Sequence, residues 1–358
     1  MAYGLPINRI AEGNYYEAHQ QFRVIAARFI KAQEYENAAS VLSEGAMLLL
    51  KAGQGGSGCD LSMMLLHDVY NKEKLACDDT NKQRLVDILR VFPPDEPTRK
   101  RFIKDMITWS NHVSKSQHDR GDAMLHDTVG ALLAAEGDDV YEAERHLVLG
   151  TRASIPRLVE MHYHWYAADS PHLAAIYASR SVLPYLILGN LSYANECFAL
   201  FLTRLTSSNP KDLYVQSIDS AKTHLRVFPS LPLLNFLSLL LLACQKADAS
   251  LFKQLAVHYT FHLKDLDYVW SAALATIGEV WFGPRPARHT GGNPLLDMMG
   301  GMGDMFFGGG GGSSSSNTGS GTNTSKSIAP GSATATATKT PTAPLTTDPD
   351  PPPTMDLD

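Results

Sequence analysis

Three groups of residues have the types and spacing that chemistry would require. Gly53-Gln-Gly-Gly-Ser-Gly58 spells G-x-G-x-x-G, with Asp78 and Asp79 at about the distance of a ribose-binding acid, some 20 positions on. That fingerprint needs a strand before its first glycine. Ala38 to Lys51 instead carries helical periodicity, so the glycines are expected to form a flexible interhelical loop. The thirteen histidines raise the question of a metal site. His162 and His164 are two apart and leave a helix on different faces; no H-E-x-x-H occurs, and no cysteine pair has zinc spacing. His162 lies on an apolar stripe and is expected to be a satisfied core histidine. His258 and His262 are one turn apart, but they share a face with Leu251, Leu255 and Tyr259, which favours packing over chelation. Glu142-Ala-Glu144-Arg145-His146 offers acid and base groups, and on a helix it reads as a solvated face with an ion pair. No Walker A sequence and no evident nucleophile, base and acid set appears. The residues point away from an enzyme, with no cofactor and no metal.

The elements that would position any such residues are helices. Ala18, Phe22, Ile25, Ala26 and Phe29 share one helical face, as do Ala38, Val41, Leu42, Gly45, Leu48 and Leu49. Ile155, Leu158, Val159, His162, Tyr163 and Tyr166 form a third stripe, and Ala194, Cys197, Phe198, Phe201, Leu202 and Leu205 a fourth. The punctuation recurs as well: Gly13-Asn14 before Tyr15, Glu34 before Tyr35, Gly137-Asp-Asp139 before Val140, and Gly189-Asn190 before Leu191. Each cluster supplies a turn or an N-cap. Short connections make consecutive helices antiparallel neighbours. The pattern predicts an all-α, irregular α-solenoid of antiparallel helix pairs, tetratricopeptide-like without a strict period. One exception interrupts it. Leu213 to Ile218 and Thr223 to Phe228 are short β-rich runs, consistent with a hairpin near 213–228 whose edge would accept an extended partner segment.

Composition divides the 358 residues into a folded part and a tail. Helical repeats are expected over 1–150 and 151–282. From 283 to 358 the chain is rich in Gly, Ser, Thr and Pro, with too little apolar surface to offset ordering entropy, so it is expected to be disordered. Within it, Asn293 to Phe307 is rich in Met and Phe and reads as a weakly structured remnant or a short docking motif. A net charge of −6 with no basic stripe argues against nucleic acid. Cys59, Cys77, Cys197 and Cys244 are dispersed, as expected of reduced thiols. No secretory signal is visible. The most apolar window, Leu231 to Cys244, is shorter than the roughly 20 residues of a membrane span and reads as a core helix. A cytosolic protein without a direct membrane span is expected.

Several runs carry a more specific likeness: Glu12 to Gln20, Lys51 to Leu61, Val140 to Arg145 with Leu149-Gly-Thr151, and Leu234 to Leu241. Together they resemble the fourth factor of the guided-entry-of-tail-anchored-proteins pathway, the 35-kDa recognition-complex subunit of animals, over roughly residues 8–282. The tail after Pro284 matches nothing by this comparison and looks like a lineage-specific extension. The resemblance implies a non-catalytic scaffold that bridges a homodimeric targeting ATPase and a ubiquitin-like partner. Indirectly, it would serve a small co-chaperone and tail-anchored clients bound for the endoplasmic reticulum membrane. It places ATPase binding in the N-terminal half, where Tyr15, His19, Arg23, Asp68, Glu73, Asp78 and Asp79 are the candidates. It places the ubiquitin-like partner in the C-terminal half, with Leu213, Val215, Ile218, Leu225, Phe228, Phe236, Leu240 and Tyr268 as candidates. The alternative is another helical-repeat adaptor subunit, of a coat or a protease complex.

Overall fold

The computed structural model describes residues 4–114, 120–208, 216–220 and 223–283. The helices are α1 (Gly4–Ala11), α2 (Tyr15–Lys31), α3 (Tyr35–Lys51), α4 (Gly55–Met64), α5 (Asp79–Val91), α6 (Thr98–Ser114), α7 (Ala123–Glu136), α8 (Val140–Leu149), α9 (Ser154–Ala167), α10 (Ala174–Ile187) and α11 (Leu191–Ser208). A hairpin of β1 (Gln216–Ser220) and β2 (Thr223–Val227) follows, then α12 (Pro232–Lys246), α13 (Ala249–His258), α14 (Thr260–Leu263) and α15 (Asp267–Phe282). Successive helices pack on one another, and α3 also meets α5, α9 meets α11, and α10 meets α12. Nearest and next-nearest contacts of this kind define a solenoid of helix pairs.

One turn is used four times. After α1, α2, α3 and α10 the chain passes through three residues into the next helix. In each, the third residue's N–H reaches back to a carbonyl five positions earlier: Asn14 to Arg9, Glu34 to Phe29, Gln54 to Leu49 and Asn190 to Tyr185, all at 2.8–2.9 Å. The middle residue bonds three back and adopts a left-handed backbone, the signature of a Schellman cap. Glycine fills that position at Gly13, Gly53 and Gly189, whereas Gln33 holds φ +61° with a side chain. The expected N-caps are only partly present. Asp139 accepts from Glu142 N and Asn190 from Tyr193 N, but the Asn14 amide donates to Glu12 instead of capping α2.

The four apolar stripes face inward as their spacing demands: Ala18, Phe22 and Ala26, then Val41, Leu42 and Leu49, and the full sets from Ile155 to Tyr166 and Ala194 to Leu205 are buried. Buried apolar side chains form two clusters, one from Ala18 to Ala143 and the other from Leu147 to Ile277. The window from Leu231 becomes the core helix α12, and no helix among the described residues is long and apolar enough to cross a membrane.

Two expectations are corrected. Gly55-Gly-Ser-Gly58 is the first turn of α4, not a flexible loop. A Cβ on Gly58 would lie 2.5 Å from Leu50 Cγ, so the glycine lets α4 press against α3. Helix α3 stands where a dinucleotide fold would put a strand, and the fingerprint lacks its context. Beyond α4, Leu65–Asn71 widens into a π-helix that buries Leu65, Leu66, Val69 and Tyr70 and exposes His67 and Asp68.

The second correction concerns Glu142 to His146. Glu142 does pair with Arg145 at 3.3 Å. Glu144, however, is buried, and accepts from His162 Nε2 at 2.8 Å and from Arg180 Nε at 2.9 Å and Nη2. Arg180 also lies over the rings of Tyr141 and Trp165, at 5.7 and 5.1 Å. His162 is thus the satisfied core histidine expected at Nε2, while its Nδ1 has no hydrogen-bond partner among the described residues. His146 is buried too: its Nδ1 meets His126 Nδ1 at 2.8 Å, and His126 Nε2 donates to Arg120 O at 2.7 Å. Of the cysteines, Cys59, Cys197 and Cys244 are buried and no disulfide forms among the described residues; burial pushes these three thiols up to about 12.

Two predictions follow from the turns and the buried groups. Replacing Gln33 by glycine removes a side chain from a left-handed position and should raise stability by about 1 kcal/mol in urea unfolding; an unchanged midpoint would refute the strain. The second concerns acid. Burial, reinforced by His146, lowers His126 to about 4, and burial also lowers His162 against the pull of Glu144. Burial pushes Glu144 up, but His162 and Arg180 outweigh it and hold the carboxyl below its ordinary value. All three groups bind protons more readily when unfolded, so the contribution of the two histidines is present above the ordinary histidine value and that of Glu144 above the ordinary carboxylate value, and each is lost as pH falls below it. Between pH 6.5 and about 4 the His126 contribution alone should decline by roughly 3 kcal/mol. A flat urea midpoint across that window would contradict this.

Candidate partner-binding faces

The N-terminal candidates fall into two groups. Tyr15, His19 and Arg23 recur every four residues along α2 and form a single line. His19 is mostly enclosed, and its Nε2–H donates to Asp60 Oδ2 on α4 at 2.8 Å. Arg23 is exposed, and its Nη1 donates to the same oxygen at 3.0 Å. Asp60 therefore fixes the line, across 41 residues of sequence. Reasoning from spacing within one helix misses it. Tyr16 and Val24, 74% and 48% exposed, add apolar surface on α2 that the sequence reading also passed over.

The acidic candidates do not join that line through any contact among the described residues. Asp68 is exposed on the π-helix. Glu73 accepts from the Tyr35 hydroxyl and raises that phenol's pKa. Asp78 is the N-cap of α5, accepting from Asn81 N at 2.9 Å. Asp79 pairs with Lys82 at 3.0 Å. Asp78 and Asp79 thus have local structural work, although both remain exposed.

The C-terminal candidates divide more sharply. The hairpin forms, with Gln216 opposite Val227 and Ile218 opposite Leu225. Leu213 and Val215 lie outside the described residues. Tyr268 belongs to α15. Phe228, Phe236 and Leu240 are core, at 1% exposure or less. Phe236 packs between Tyr259 and Trp270, with ring centroids 5.3 and 5.8 Å away. Their surroundings are full, so these three support the face from beneath and offer no free anchor to a partner. Exposed apolar surface lies instead at Val257 (76%) and Phe261 (82%), each followed in the chain by an exposed histidine, His258 and His262. Both histidines pack against Tyr259, at 5.1 and 6.0 Å between ring centroids, and no metal-holding group of three occurs among the described residues.

Asn235 holds the hairpin to this face. Its Oδ1 accepts from Phe228 N at 2.8 Å, and its Nδ2 donates to Phe228 O at 2.9 Å. The amide that interrupts the apolar window is thereby a two-point clamp at the end of β2. Further along, Trp281 Nε1 donates to Leu186 O at 2.8 Å and fastens α15 to α10.

Comparison with known proteins places the chain. The family described as Golgi to ER traffic protein 4 matches residues 32–302. The Golgi to ER traffic protein 4 of Aspergillus fumigatus is 51% identical over 313 residues, covering 84% of this chain and 88% of that protein. The chain belongs to the Golgi to ER traffic protein 4 family. The Schizosaccharomyces pombe member is 35% identical over 274 residues, covering 76% of this chain and 86% of its own length. A solved structure titled "Crystal structure of C. therm. Get4" superposes with a TM-score of 0.71 at 44% identity, covering 85% of this chain and 93% of that one. The all-helical solenoid is therefore the architecture of a solved relative. The match to the family runs past residue 282 to 302 and takes in the first part of the Met-rich stretch. That part of the tail is family sequence, not a lineage-specific extension as its composition had suggested.

The clamp generates a prediction. Asn235→Ala leaves the Phe228 amide without a partner and the Phe228 carbonyl with only the Leu231 N–H, at 3.1 Å, at a cost of about 1–3 kcal/mol. Hydrogen exchange at Phe228 N–H should accelerate while exchange in α2 and α3 stays as it was. Unchanged protection at Phe228 would show that the clamp does not hold the hairpin.

Proposed function

We propose that the chain is a non-catalytic cytosolic scaffold in the post-translational targeting of tail-anchored proteins to the endoplasmic reticulum. It bridges the homodimeric targeting ATPase and a ubiquitin-like partner that recruits the client-bearing co-chaperone. Family membership over most of the chain is the observation that carries this reading. The two faces add physical support. The α2 line pairs a charged tip, Arg23, with the exposed rings and methyls of Tyr16 and Val24, a mixture suited to a contact that forms and releases. Acidic groups at Asp68, Asp78 and Asp79 would steer a basic ATPase face and raise its on-rate. At the other end the hairpin offers a strand edge, and Val257 with Phe261 offers apolar contact area of the kind that anchors a lasting complex.

Affinity capture with the full chain as bait tests the reading. The wild type should retain both partner types at low salt. Arg23→Glu should release the ATPase alone, and Phe261→Asp the ubiquitin-like partner alone. Both side chains are exposed, so neither change disturbs the core. Retention of neither partner by the wild type would sink the proposal. Co-migration of the chain with a large coat or protease particle would favour the alternative of a helical-repeat adaptor subunit.

A further inference from the structure

A cavity of about 440 Å³ opens between α6, the start of α7 and α8. That volume lies in the range of small-molecule sites, roughly 300–1,000 Å³. Its lining is unusual for a chain of net charge −6. Four cations, Lys100, Lys104, Arg120 and Arg145, line it against one carboxylate, Glu142. Lys100 is matched by Asp139 at 2.8 Å and Arg145 by Glu142 at 3.3 Å. Lys104 and Arg120 have no acidic partner among the described residues.

The fold holds these charges in place. Lys100 and Lys104 are one turn apart on α6, and Arg145 comes from the facing side of α8. Arg120 is fixed through its backbone, because its carbonyl accepts from His126 Nε2 at 2.7 Å. Gly121, with φ +78°, carries the chain so close to α6 that a Cβ would fall 2.8 Å from Ile107 Cγ2. Asp122 then caps α7 through Met124 N and Leu125 N. A partly enclosed guanidinium without a counter-charge is costly, and its burial lowers the Arg120 pKa. An anion in the cavity would offset that cost. Two cations are left unmatched beside two paired ones in a small space, which favours a multivalent anion over a single carboxylate.

We propose that this cavity binds a compact ligand bearing several phosphate monoesters on one small ring, the chemistry of an inositol phosphate, with Lys104 and Arg120 as its principal holds. Such a ligand occurs free or as a lipid headgroup, and the test separates the two. Full-length chain is titrated calorimetrically with inositol 1,4,5-trisphosphate, and separately co-sedimented with vesicles containing phosphatidylinositol 4,5-bisphosphate. Saturable binding near one to one is expected, weakened about tenfold or more in Lys104→Gln and in Arg120→Gln. Lys104 is exposed, so its variant folds even if Arg120→Gln does not. Lys51→Gln, an exposed change on α3 outside the cavity, should leave binding as in the wild type. With those variant effects, binding to the free trisphosphate assigns a soluble ligand, and binding confined to vesicles assigns a headgroup. Binding in neither arm, equal loss in Lys51→Gln, unweakened binding in Lys104→Gln, or tighter binding of a poly-glutamate peptide would each overturn the proposal.

Discussion

The solenoid turns on a buried carboxylate. Glu144 sits on α8 between Ala143, the last member of one apolar cluster, and Leu147, the first member of the other. It draws His162 from α9 and Arg180 from α10 to the same point. A buried charge left unmatched costs several kcal/mol, so the three helices have little freedom to slide or rotate against one another. The aromatic rings of Tyr141 and Trp165 enclose the guanidinium and tighten the arrangement further. Polar satisfaction at this place acts together with apolar burial to fix which faces of α8, α9 and α10 meet.

Much of this architecture is written in local pattern. Stripes such as Ile155 to Tyr166 turn inward as a whole because period and burial are the same physical fact on a helix. The glycines before Tyr15 and Leu191 announce their turns because few other residues adopt the left-handed backbone. Gly55 to Gly58 misleads for a related reason. Glycine marks either a loop or a close helix approach, and only the position of Leu50 decides between them.

The pairings that matter most are not local. Glu144 meets Arg180 across 36 residues, and Asp60 meets His19 across 41. Spacing along one helix reveals a face, but not the residue opposite it on another. The same limit governs the hairpin region. Phe228, Phe236 and Leu240 have the character of anchors, and an anchor for a partner and a plug for one's own core are alike in composition. Burial separates them, and it assigns these three to the core while leaving Val257 and Phe261 outside. Asn235, which reads as an interruption in an apolar run, turns out to organise the strand that precedes it.

The π-helix at Leu65–Asn71 ties the direction of the chain beyond it to the number of residues in this segment. A π-turn holds about one residue more than an α-turn, so the segment accommodates one extra residue without breaking the helix. Its buried pairs, Leu65 with Leu66 and Val69 with Tyr70, recur four apart and so tolerate the widened winding. Loss of one residue here would restore the narrower spiral and swing everything beyond it by about a quarter turn. His67 and its bond to Asp105 would then point elsewhere, and Asp68 would leave the surface it now occupies. The length of the segment is thus bound to the direction of every side chain beyond it, whereas of its exposed positions His67 alone bonds across the fold among the described residues.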